Sequence, residues 1–116
     1  MEIVSFEIAQ KSKEKGFNAE CYGHYFNGEF YPDMPPKYYQ RDKYVSAPFI
    51  SQVLKWLREE KKIHIVIDIW GRTWGYDVLS LPSGNSQHWT AYEENIKSYE
   101  QAALAGIEYV LDNNLI

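Results

Sequence analysis

Residues 46–81, SAPFISQVLKWLREEKKIHIVIDIWGRTWGYDVLSL, change hydrophobic period once, and that change decides the fold. From Phe49 onward, Ile50, Val53, Leu54 and Leu57 recur at three and four residues, which puts them on one stripe of an amphipathic helix. Pro48 suits a first helical position, where its missing N–H costs nothing, and Ser46 or Ala47 would then be the cap, Ser46 being the better acceptor by residue type. Lys55, Arg58 and Lys62 share a second, basic stripe, and Trp56 falls beside the apolar one. After Lys62 the period becomes two. Ile63, Ile65, Ile67 and Ile69 alternate with His64, Val66, Asp68 and Trp70, the pattern of a strand with one wholly apolar face.

The turn falls at Gly71–Arg72 or one residue later. The first choice pairs Ile69 with Trp74, Ile67 with Tyr76 and Ile65 with Val78; the second pairs Ile69 with Tyr76 and Ile67 with Val78. Both keep the isoleucine face continuous, because both preserve parity. A helix must cover that face, and the opposite pleat is expected to be wetted.

Outward from this stretch, the chain start reads as a helix over 3–15, ended by Gly16 with Phe17 folding back on the last turn. Asn27–Gly28 lies between two aromatic runs and is the strongest short hairpin signal present, a type I′ turn between strands near 20–26 and 29–32. Residues 32–47, with three prolines and no clear period, read as a long connection packed down by Tyr38, Tyr39 and Tyr44. A turn at Pro82–Asn85 and a short edge strand around His88–Tyr92 follow the second hairpin. Ser98 and Gln101 form a capping box that opens the last helix, whose stripe is Ala103, Ile107, Val110 and Leu111. Small Ala102, Ala103 and Gly106 permit close docking on a sheet. The order α-ββ-α-ββ-α predicts an α+β two-layer domain, with helices on one face of an antiparallel sheet built from two hairpins.

At 116 residues the chain is read as one domain able to bury a core without staples. Its single cysteine, Cys21, excludes an internal disulfide and points to a reducing, cytoplasmic setting. The first residues have neither a basic lead nor a long apolar run, so they do not read as a signal peptide, and no segment has the apolar length of a membrane span. The net charge of −4 argues against non-specific nucleic-acid binding. It is unevenly spread: residues 37–62 carry seven basic and three acidic side chains, a local +4.

Three blocks, EKGFN (14–18), SAP with QVLKWLREEKKIHIVI (46–48 and 52–67) and SYEQAALAGI (98–107), resemble a family of small proteins of Bacteroides-type gut bacteria and their mobile elements and phages. The blocks cover roughly a third of the chain. The resemblance implies a bacterial or phage origin and brings no activity, cofactor or site residue with it.

Chemistry is therefore sought residue by residue. Cys21 and His24 have the residue types for half of a metal site, but three residues apart on a strand they point to opposite faces, and there is no second Cys/His pair. His64, Asp68 and Asp77 share the strand face away from the isoleucines, where paired carboxylates near a histidine are suited to acid–base work or to holding a cation; a solvated outer face is the simpler reading. There is no nucleophile elbow, P-loop, zinc-protease helix or dinucleotide glycine pattern, so no cofactor is expected. Trp74 and Tyr76 belong to the isoleucine face and read as core. Trp70 and Trp89 read as partly exposed, a feature of protein interfaces. A hairpin edge also invites strand addition, giving a homodimer or a peptide groove. The favoured role is a small interaction module meeting a protein partner or itself. A nucleic-acid accessory protein using Lys55, Arg58 and Lys62 with Lys37, Arg41 and Lys43 is the first alternative, and an enzyme centred on His64, Asp68 and Asp77 the second.

Overall fold

The computed structural model describes residues 2–18, 21–32, 44–81, 85–89 and 96–116, with backbone alone for Trp70 and for 85–89. The fold is α+β: among the described residues, three helices and two antiparallel sheets. The two hairpins do not share a sheet. Each belongs to its own three-stranded sheet, in two compact units, residues 1–53 and 54–116.

In the first unit, α1 (Phe6–Glu14) begins at Ser5, whose hydroxyl accepts from the Ile8 N–H. The helix is therefore shorter than the 3–15 expected, because Val4 N–H donates to the Pro48 carbonyl and Ile3 bridges Phe49 in extended backbone. Its end is a Schellman motif. Phe17 N–H reaches the Ser12 carbonyl at 2.9 Å and Gly16 N–H reaches that of Lys13 at 3.1 Å, with Gly16 at φ 103 and Phe17 buried. The sheet runs β2-β1-β3 from β1 (Gly23–Phe26), β2 (Glu29–Tyr31) and β3 (Tyr44–Ala47). Asn27 and Gly28 both take positive φ, 55 and 81, as a type I′ turn requires.

Strand β3 replaces the end of what reads in sequence as a connection, and it overturns the Ser46 cap. Ser46 sits opposite His24 in the ladder, and α2 (Ile50–Glu60) begins only after Phe49. There the Gln52 side chain reaches back to the Phe49 N–H at 2.8 Å and does the capping. Residues 33–43, with Lys37, Tyr38, Tyr39, Arg41 and Lys43, lie outside the described residues.

In the second unit, β4 (Ile63–Trp70), β5 (Thr73–Ser80) and β6 (Asn85–Trp89) form the order β4-β5-β6. The register takes the earlier of the two expected turns: Ile65 faces Val78, Ile67 faces Tyr76 and Ile69 faces Trp74. Gly71 alone in that turn has positive φ, 64, as a type II′ turn asks of its first central residue. Strand β6 starts earlier than expected, at Asn85, and the residues of the expected turn and strand at 82–84 and 90–92 lie outside the described ones.

Helix α3 (Tyr99–Asp112) lies on the isoleucine face of this sheet. A Cβ on Gly106 would stand 2.7 Å from Ile65 Cγ2 and 3.3 Å from Tyr76 Cδ2, so a glycine is what lets helix and strands approach this closely. Ala102, Ala103, Ile107 and Val110 are fully buried. Ser98 caps the helix, its hydroxyl accepting from Gln101 N–H at 3.1 Å. The Gln101 side chain returns one residue further than a capping box would, to the Lys97 N–H at 2.7 Å. At the other end Asn114, at φ 52, closes a second Schellman motif through Leu115 N–H and the Val110 carbonyl.

Candidate interaction surface on the second hairpin

The isoleucine face is not uniformly covered. Ile63 and Ile65 are buried, Ile67 is half-buried and Ile69 is 48% exposed. Gly106 of α3 sits over Ile65 and Tyr76, and burial along the isoleucine face falls off from Ile65 toward the turn. Trp74 and Tyr76, expected as core, are half-buried. Each meets a tyrosine of α3, Trp74 edge-on to Tyr99 at 6.1 Å and Tyr76 tilted to Tyr109 at 6.5 Å.

The backbone of β4 has two sides as well as two faces. A two-residue turn makes Trp70 and Thr73 the first hydrogen-bonded pair, and alternation then assigns Asp68, Val66 and His64 to the ladder with β5. The Leu81 N–H to Lys62 carbonyl bond at 2.9 Å continues that even-numbered series. The N–H and C=O groups of Ile63, Ile65, Ile67 and Ile69 therefore point to the other side. No strand among the described residues pairs with them. One is satisfied locally: the Ile69 N–H donates to Asp68 Oδ1 at 2.7 Å. This eight-residue, β-branched edge is the feature most open to another chain.

His64, Asp68 and Asp77 do share the outer face. The register makes them diagonal neighbours, since Asp77 stands opposite Val66, Asp68 opposite Gly75 and His64 opposite Leu79. Among the described residues no group of three or more His, Cys, Asp or Glu side chains is placed to hold a metal ion. Trp70 and Trp89 are located by backbone only, opposite Thr73 and Asp77; their side chains lie outside the described ones.

The basic stripe is partly neutralised by its own helix. Lys55 Nζ lies 3.9 Å from Glu59, and Lys62 Nζ donates to the Glu59 carbonyl at 2.8 Å. Lys62 also holds a left-handed φ of 58 that carries the chain from α2 into β4. Arg58 is exposed, and Lys61 rather than a stripe member sits over the Trp56 ring, at 5.5 Å.

Cys21 is buried, which disfavours its thiolate. Burial pushes its thiol up to about 11, and a hydrogen bond with Ser46 only partly offsets that. His24, its candidate partner in a metal site, is buried in an aromatic network, stacked on Tyr31 at 5.5 Å and edge-on to Tyr44 at 4.8 Å. Beside it Tyr22, Phe30 and Tyr31 are exposed, a set of rings that sequence reading did not single out.

Comparisons with family models, with curated proteins and with solved structures return no match. No helix among the described residues is long and apolar enough to cross a membrane.

Proposed function

We propose that this protein is a small cytoplasmic interaction module of bacterial or mobile-element origin, acting by protein contact rather than by catalysis. The observation that carries the reading is the outward side of β4, eight residues long, unpaired among the described residues and ending in an exposed isoleucine. Such an edge recruits a partner by strand addition: main-chain hydrogen bonds supply affinity, and alternate side chains supply selectivity. An unmatched edge is otherwise a hazard that short strands, prolines or bulges usually blunt, and β4 has none of these. Asp68, bonded to the Ile69 N–H, is its one local guard.

Amide exchange followed by NMR on dilute protein tests this. The N–H groups of Ile65 and Ile67 are expected to exchange much faster than those of Val66 and Asp68, which belong to the ladder. Equal protection of all four in a protein that sediments as a monomer would mean the edge is already covered within the chain, and the reading would fall.

A further inference from the structure

We infer that the partner for the β4 edge is β4 of a second copy of this chain, paired antiparallel about a two-fold axis through Val66. The inference rests on the edge reading proposed above and adds the identity of the occupant. It comes from register. The outward groups belong to Ile63, Ile65, Ile67 and Ile69, so a second β4 must offer the same odd-numbered set in return, which restricts the possible pairings to steps of one residue in the position of the axis.

With the axis at Val66, Ile65 faces Ile67 and Ile63 faces Ile69 of the other copy as hydrogen-bonded pairs. His64 then faces Asp68 at a non-hydrogen-bonded position, where opposed side chains are closest. Symmetry repeats each of these contacts, so the interface holds two imidazole–carboxylate pairs, in which a ring N–H donates to the carboxylate. Neighbouring registers lose this match. An axis at Ile67 sets Asp68 against Val66 and His64 against Trp70. An axis at Ile65 sets His64 against Val66 and asks Asp68 to meet Lys62, whose left-handed backbone lies beyond the end of the strand.

Two further features fit. Opposed residues in an antiparallel pair share a face, so both isoleucine faces come to the same side, and the exposed Ile69 gains Ile63 of the other copy as a neighbour. The guard is also removed without loss: Ile69 N–H exchanges the Asp68 carboxylate for the Ile63 carbonyl, and the freed carboxylate turns to His64. Asp77, diagonal to both on the same face, adds no clash of strand register. The product is a closed pair with one six-stranded sheet, β6-β5-β4-β4-β5-β6.

Sedimentation equilibrium on the full chain tests it with three proteins. The natural chain is expected to dimerise, Asp68→Lys to raise the dissociation constant by about tenfold or more, and the double variant His64→Asp with Asp68→Lys to restore it by reversing the pair. Restoration also shows that the single variant had not merely misfolded. A natural chain that stays monomeric at every concentration, an Asp68→Lys protein that dimerises unchanged, or a double variant as weak as the single one would each overturn the proposal. A monomer whose Ile65 and Ile67 amides exchange rapidly would sink self-pairing alone. Protected amides in that same monomer would take the edge reading with it.

Discussion

The two sheets solve one problem with different materials. In β2-β1-β3 the strands are three or four residues long, and rings hold them: Phe6 against Tyr25, Tyr25 against Phe30, Tyr44 against both His24 and Phe26. In β4-β5-β6 the two long strands carry eight residues each, and aliphatic burial under α3 holds them, with Ile65, Val78, Ile107 and Val110 out of water. Short strands leave few ladder bonds, so directional ring contacts and single hydrogen bonds matter more there. A long strand with a helix on one face can rely on non-directional burial. It also leaves a long side for which something else must provide.

With that contrast, truncation in the aliphatic layer costs most. Ile107→Ala is expected to lower stability by about 2–5 kcal/mol in denaturant titration, because a fully buried β-branched side chain leaves a cavity under α3. A loss below the cost of one methylene would show that the layer repacks freely. Gly106→Ala comes next. The added methyl meets Ile65 Cγ2, whose β-branched side chain has little rotameric freedom, so overpacking of about 1–3 kcal/mol outweighs the helix preference of alanine, about 1 kcal/mol. A stabilised variant would mean the docking is looser than 2.7 Å implies.

In the ring-held unit the effects are smaller, and one has the opposite sign. Ser12 is fully buried with its hydroxyl unpartnered among the described residues, so Ser12→Ala is expected to raise stability by about 1 kcal/mol, seen as a higher denaturation midpoint at unchanged slope. Tyr25→Phe removes the hydroxyl that donates to the Val4 carbonyl at 2.7 Å, and should cost about 0.5–1.5 kcal/mol by the same titration. Finally, the Cys21 thiol is raised in the folded state, so its contribution is complete below the ordinary thiol range and fades as pH climbs toward 11. Between pH 8 and 10.5 the natural chain should lose more stability than Cys21→Ala; parallel curves for the two proteins would contradict the burial argument.

How far the sequence discloses this molecule depends on how local each signal is. Gly16, Asn27–Gly28 and Ser98 are each settled by neighbours within a few residues, and each is found where its chemistry puts it; for the 63–80 hairpin the same local signals fix the parity but leave two registers open, of which the earlier turn is found. Strand β3 is different. Its four residues lie between prolines and carry no usable period, and its partner β1 stands some twenty positions away, beyond reach of a turn rule. The division into two sheets was hidden for a related reason, since parity tells which face of a strand is apolar but not which strand lies beside it. The candidate surface was legible in half: strand alternation put His64 and Asp68 on the outer face, where they read as an acid–base or cation pair rather than as an interface, while the exposure of Ile69 is set by tertiary packing that only coordinates report.

All four tryptophans, Trp56, Trp70, Trp74 and Trp89, fall after residue 53, whereas the ring-held unit has tyrosine and phenylalanine only. Indole emission is thus a private reporter of the second unit, with Trp74 against Tyr99 as one of its sensors. An unfolding curve followed by that light alone would be blind to the first unit, and its disagreement with near-ultraviolet dichroism from the tyrosines would reveal at once whether the chain melts in one stage or two.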